Sequence, residues 1–334
     1  MAPFFTRSAP INCATVLPRI SQDEWRRPSL DRHEGVDVCR QQVHLVTGYF
    51  HLKPDSLQSI KANPNRIEVS YSDSLLAMTE HFNEVTIVTD PTTWRDELSD
   101  LHLRRNIELS LAQPVQEDPR FLLLQHELLR GATSIYTSRE SDVTSVASYL
   151  ATIQRKLECL NTVQQQKGCS GCSLIWLDAG VFQRRLERVG ARNSTRSPMK
   201  LHEEKLFSFG ATANFRSWMK SWCGTLQGEG NEVTGAAFAI RSDIIPYFLQ
   251  LNESVIRQSI RSLSVVPTEQ ASIYVVLGLL PRDLRTQGEI LTISGYSGAV
   301  NRIINGTSHP AKQLNAARIM HRFPRYSLDH VFRD

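Results

Sequence analysis

The chain has 334 residues, 41% of them hydrophobic and 22% charged, with a formal net charge of +4 that leaves ten histidines uncounted. This composition suits a folded chain with room for one large α/β domain or two modest ones, and its mild basic balance favours phosphate-bearing ligands while being too weak for a nucleic-acid partner. No stretch reaches the roughly 18 consecutive apolar residues of a membrane span, and Met1 to Arg7 is too short and polar for a signal-peptide core.

The chain as it stands is therefore expected to have no integral membrane segment and to be soluble and cytoplasmic; a place in the Golgi lumen would require an anchor upstream of it. Residues 1–40 carry Pro3, Pro10, Pro18 and Pro28 without any hydrophobic period, which reads as an irregular N-terminal arm. Residues 41–334 are expected to form a single main domain. Val43 to Phe50 predicts a first buried strand, Ser72 to Phe82 a helix, and Glu84 to Asp90 a second strand that stops at Asp90-Pro91.

Ile107 to Leu111 suits a third, shorter strand, and Phe121 to Arg130 has helical spacing. A long helix is predicted from Ser145 to Gln165, with Val146, Tyr149, Leu150, Ile153, Leu157 and Leu160 on one side. It leads into the apolar run Cys172 to Leu177, which ends in Asp178-Ala179-Gly180. A carboxylate at the end of such a run stands where ligands of α/β sheets collect, although Asp-Ala-Gly is equally a good turn.

After Gly180 come Arg184, Arg185, Arg188, Arg192, Arg196 and Lys200 against the single acid Glu187. That segment is either solvated surface or a flap over a diphosphate. Gly235 to Ile240 is strand-like and rich in small residues, and Ser242 caps a following helix. Thr268 caps another that begins at Glu269 and is stopped by Pro281, and Ile290 to Ile293 is the last predicted strand. Strands separated by helices of these lengths imply crossovers and a largely parallel sheet.

Six cysteines are too sparse for a disulfide-stapled module, and Cys169-Ser170-Gly171-Cys172 lacks the second ligand pair of a zinc site. Plain buried or loop thiols are expected. The acceptor-like tripeptides at Asn193, Asn252 and Asn305 decide nothing about compartment.

Four short motifs occur in an informative order: Thr47-Gly48-Tyr49-Phe50, Trp176-Leu177-Asp178-Ala179-Gly180, Gly235-Ala236-Ala237-Phe238 and Thr268-Glu269-Gln270-Ala271. In that order they resemble the HtrL/YibB-type glycosyltransferase family over roughly Val43 to Gly295. The resemblance implies a GT-A-like, Rossmann-type, mostly parallel sheet flanked by helices. It also implies a nucleotide-diphosphate sugar donor, UDP-linked, a glycan or other hydroxyl acceptor, and a divalent metal, Mn2+ or Mg2+.

On that resemblance Asp178 is the metal-binding and catalytic acid and Glu269 the catalytic carboxylate. Thr47, Trp176, Asp178, Gly235 and Ala236 are expected to contact the donor, although the small residues 235–237 equally suit tight strand–helix packing, and His309 is a candidate second metal ligand or else an exposed loop histidine. Two positions depart from the pattern: one aspartate stands where two usually flank a residue, and Thr268 replaces the aspartate that more often precedes Glu-Gln. A sugar-nucleotide or glycan-binding protein that keeps this fold without turnover is the alternative. A hydrolase or Rossmann oxidoreductase has no support, since neither Gly-x-Ser-x-Gly nor Gly-x-Gly-x-x-Gly occurs.

Overall fold

The computed structural model describes residues 43–52, 71–82, 84–103, 106–137, 142–168, 171–180, 206–211, 226–227, 233–280, 284 and 289–292. The N-terminal arm, the basic segment 184–200 and His309 lie outside the described residues.

The strands are β1 (Val43–Gly48), β2 (Val85–Thr89), β3 (Ile107–Leu111), β4 (Ser173–Leu177), β5 (Phe207–Ala211), β6 (Val233–Arg241) and β7 (Glu289–Thr292). They form one seven-stranded sheet in the order β3-β2-β1-β4-β6-β5-β7. β1, β2, β3 and β4 pair in parallel, β5 and β7 pair in parallel, and β6 runs against both its neighbours. This is a helix-flanked, mostly parallel α/β architecture. The antiparallel β6 brings its first residues, around Gly235, to the edge where β1 and β4 end.

Helices cover both faces. Helix α1 (Tyr71–His81) lies on one face, where Leu75 and Met78 pack with Leu45, Ile87, Ile175 and Leu177. On the other lie α2 (Pro119–Leu129), α3 (Val143–Gln154), α4 (Lys156–Lys167), α5 (Ile245–Leu263) and α6 (Glu269–Leu279). That core includes Val46, Trp176, Phe209, Phe238 and Phe248. The two clusters follow from strand alternation: Leu45, Ile175 and Leu177 face one way and Val46 and Trp176 the other. Phe209 stacks between Phe238 and Phe248 at ring-centroid distances of 4.9 and 5.7 Å.

The long helix expected over 145–165 is two helices, α3 and α4, broken at Arg155. Arg155 pins the break: its guanidinium donates to Gln113 O at 2.8 Å, pairs with Asp118 Oδ2 at 3.0 Å, and lies 4.6 Å from the Phe50 ring centroid. Asp90, expected to end a strand, also caps a short helical turn, accepting from the Thr92 and Thr93 amides at 3.0 Å each. Its successor Pro91 suits that first helical position, because its missing N–H would have had no partner there. β5 has no counterpart among the predicted elements.

The expectation of plain thiols holds for Cys159, whose buried thiol is pushed up to about 12 by desolvation. It fails for Cys172, which is disulfide-bonded. Among the described residues no helix is long and apolar enough to cross a membrane.

At the opposite edge of the sheet, His44 on β1 is 9% exposed and neither ring nitrogen has a hydrogen-bond partner among the described residues. Burial, followed by the nearby Lys167 charge, pushes its pKa below the ordinary 6.5, while Glu84 and Glu108 oppose the shift. A depressed folded pKa means that the unfolded chain binds more protons than the native one as the pH drops. His44 therefore contributes stability above about pH 6.5 that is lost as pH falls through its folded value. Urea midpoints measured from neutral to mildly acidic pH are expected to fall less steeply for His44→Gln than for the parent, and superimposable slopes would contradict this.

Candidate functional site

Asp178 follows the last residue of β4, and its backbone amide donates to Ala236 O at 2.8 Å, tying it to β6. Its side chain projects to the face covered by α4 and α6, the face on which Trp176 lies two residues earlier. Trp176 Nε1 donates to Asp178 Oδ1 at 2.7 Å. The indole is otherwise core, 3% exposed and stacked on Phe238. Gly48 makes room for it, since a Cβ at that position would lie 2.7 Å from Trp176 Cη2.

Glu269 opens α6. Thr268 holds an extended backbone and its hydroxyl accepts from the Ala271 amide at 3.2 Å, so the helix starts as expected even without the usual aspartate. The preceding loop is held by Gln154 Nε2, which donates to Pro267 O at 2.9 Å. Glu269 thus stands in the first turn of a helix, where the aligned peptide dipoles favour a carboxylate.

Between these two acids lies Lys156, the first residue of α4. Its ammonium donates to Glu269 Oε1 at 2.9 Å and to Gly235 O at 2.9 Å, and it contacts Asp178 Oδ1 at 2.9 Å and Oδ2 at 3.2 Å. An ammonium has three N–H bonds, and three residues here receive them. The Lys156 and Glu269 side chains are 7% and 9% exposed, whereas Asp178 is 35% exposed, so the cluster opens to solvent through Asp178. Burial alone would lower the Lys156 pKa, but the charges of Asp178 and Glu269 outweigh it and hold the ammonium above its ordinary 10.5. That contribution to stability is complete below about pH 10.5 and is lost only as the pH rises through the higher folded value.

Gly235 completes the cluster by what it lacks. A Cβ there would sit 2.7 Å from Glu269 Oε1 and 2.8 Å from Gln270 Cγ, so the small residue serves close packing of β6 on α6 while its carbonyl accepts from Lys156. Ala236 is buried and faces the opposite cluster. Thr47 is also wholly buried, and its register beside Ile87 directs it to the α1 face, away from the Asp178 side chain. Its hydroxyl has no hydrogen-bond partner among the described residues.

The structure therefore brings together Asp178, Glu269, Trp176 and Gly235, and adds Lys156, which sequence reasoning did not single out. Thr47 and Ala236 lie apart from the cluster's side chains, and Trp176 is buried, reaching the site by orienting Asp178. A signal for Lys156 was present: it interrupts the apolar stripe of Ile153, Leu157 and Leu160, where a lysine has no place unless it is paired.

A divalent ion at Asp178 is what the resemblance implies. Among the described residues no group of three or more His, Cys, Asp or Glu side chains converges to hold one. Both Asp178 oxygens already face the ammonium, and one also accepts from the indole. A dication ligated there would lie roughly 4–5 Å from Lys156 Nζ, whose positive charge offsets part of the attraction of the two carboxylates. Among the described residues, the donor set around Asp178 does not fit a divalent ion.

Among solved structures, the chain is similar to the apo crystal structure of mouse xyloside xylosyltransferase 1, at 11% identity and a TM-score of 0.35, over 81% of this chain and 96% of that one. No protein-family model matches the chain, and no curated protein does. A likeness this distant assigns neither substrate nor residue roles.

Proposed function

We propose that this chain is a glycosyltransferase of the HtrL/YibB type, which binds a UDP-linked sugar and transfers the sugar to a hydroxyl of a glycan acceptor. The observation that supports this reading is that Asp178 and Glu269, distant in sequence, share one ammonium at the edge of the sheet where β1 and β4 end. Ligands of open α/β sheets lie beyond the carboxyl ends of the strands. Sugar transfer needs carboxylates there, to receive hydroxyl groups of the sugar and to take the acceptor proton or stabilise a cationic sugar.

The test is a thermal-shift screen of UDP and a panel of UDP-hexoses and UDP-pentoses. A ligand selective for the native chain raises its melting temperature by mass action, about 2.7 kcal/mol of stabilisation at a hundredfold excess over Kd. At least one UDP-sugar is expected to raise the melting temperature more than UDP does. No shift with any of them would overturn the reading.

A sugar-nucleotide or glycan-binding protein without turnover is the second reading, favoured by the burial of Glu269 and its ion pair with Lys156. Binding of a UDP-sugar without release of UDP in the presence of glycan acceptors would select it.

A further inference from the structure

We propose that Lys156 is the fixed counter-cation of this site, and that Asp178, held by it, receives sugar hydroxyl groups instead of ligating a divalent ion. The inference rests on the glycosyltransferase reading and names how that site treats its donor.

Each N–H of the ammonium is directed at a partner: one at Asp178, one at Glu269 and one at Gly235 O. Lys156 has nothing left to offer a phosphate, so its role is toward its neighbours and it is a positioning residue. It is also fixed in place, because it is buried and all three of its acceptors come from the surrounding fold.

Asp178 is the member of the trio open to solvent. Its orientation is fixed from two sides, by the Trp176 N–H on Oδ1 and by the ammonium spanning both oxygens. A carboxylate has about four lone-pair directions, so one carrying these contacts retains acceptor capacity. A neutral hydroxyl donor meets no repulsion from the ammonium, whereas a dication does. The same carboxylate is thus a poor metal ligand and a good sugar-hydroxyl acceptor. No cation need enter before the donor, because the cation is a side chain already in place.

The two roles for Asp178 differ in which part of the donor they touch. A metal bridge holds the diphosphate, so its loss weakens UDP and UDP-sugar alike. A hydroxyl acceptor touches only the sugar. The experiment is calorimetric titration of the full chain and of Asp178→Asn with UDP and with the best-shifting UDP-sugar, in excess EDTA and in manganese.

The parent is expected to bind both ligands with affinities within about threefold between the two conditions. Asp178→Asn is expected to lose about tenfold for the UDP-sugar, the scale of one charge-assisted hydrogen bond, and to keep its UDP affinity. A manganese requirement for either ligand overturns the inference, as does an equal loss of UDP and UDP-sugar affinity in Asp178→Asn. An unchanged UDP-sugar affinity in that variant overturns it too. If neither ligand binds the parent in either condition, the glycosyltransferase reading fails and the inference with it.

The state of Lys156 has its own readout. Lys156→Met frees both carboxylates, and manganese binding, followed by electron paramagnetic resonance, is expected to be at least about tenfold tighter in this variant than in the parent. Equal manganese affinity overturns the inference. If the variant does not fold, the comparison of EDTA with manganese on the parent decides alone.

Discussion

Lys156→Met is expected to lower the unfolding free energy by about 3–5 kcal/mol, the cost of breaking a buried ion pair from one side. The methionine side chain fills much of the lysine volume, so the loss is one of charge more than of packing. It leaves two carboxylates and the Gly235 carbonyl, all of which accepted from one ammonium, facing each other with the Trp176 N–H on Asp178 Oδ1 as the remaining donor among the described residues. Against a typical domain stability of about 5–15 kcal/mol this is a large fraction. Coupling identifies its origin: Lys156→Met combined with Glu269→Gln should be less destabilised than the sum of the two single changes by about 1–3 kcal/mol. Urea denaturation of the parent, both single variants and the double variant provides the cycle. A single-variant loss below about 0.5 kcal/mol, the level of an ordinary surface substitution, would mean that the three charged groups are not desolvated together.

Why this cluster was only partly legible in the sequence has a physical reason. Asp178 and Glu269 lie at element boundaries that announce themselves: an apolar run closed by Asp-Ala-Gly, and a Pro-Thr-Glu helix start. The strand boundaries of β1, β2, β3, β4, β6 and β7 fall within a few residues of expectation, since buried strands carry their own apolar signal. Lys156 carries only the weaker signal of a lysine interrupting an apolar stripe, which does not say what it meets. Its role depends on the break at Arg155, which turns one expected helix into two and is set by distant partners, Gln113, Asp118 and Phe50. Helical periodicity reads neighbours three and four positions away and is blind to such pins.

β5 escaped for a different reason. Phe207-Ser208-Phe209-Gly210 does alternate, but it is short and contains a glycine, and a strand weakened in that way is set by its neighbours β6 and β7. Gly235 shows the opposite limit: the sequence marks it as small, yet only the approach of Glu269 explains why it must be. The reversed direction of β6 likewise follows from sheet pairing and not from local pattern. That reversal is what delivers the Gly235 carbonyl to Lys156.

Glu269→Gln is expected, on the glycosyltransferase reading, to lower the release of UDP from a UDP-sugar in the presence of glycan acceptor by about 10²–10⁴-fold, the usual contribution of a positioned acid or base. Binding of the UDP-sugar should change by less than about threefold, because the charge lost is one the transition state needs and the bound donor does not. The geometry makes glutamine a close replacement: it keeps the volume beside Gly235, where no extra atom fits, and its amide oxygen can still accept from Lys156. What is removed is the carboxylate charge, with Oε2 having no hydrogen-bond partner among the described residues. In the transfer, the acceptor oxygen forms a bond to the anomeric carbon as the bond from that carbon to the diphosphate oxygen breaks, and the acceptor proton must go to a base. Glu269 can take that proton or stabilise positive charge on the sugar, and both roles are lost in the amide. Turnover equal to that of the parent would make Glu269 an ion-pair partner of the core and nothing more. Turnover lost together with UDP-sugar affinity would instead mean that it holds the donor.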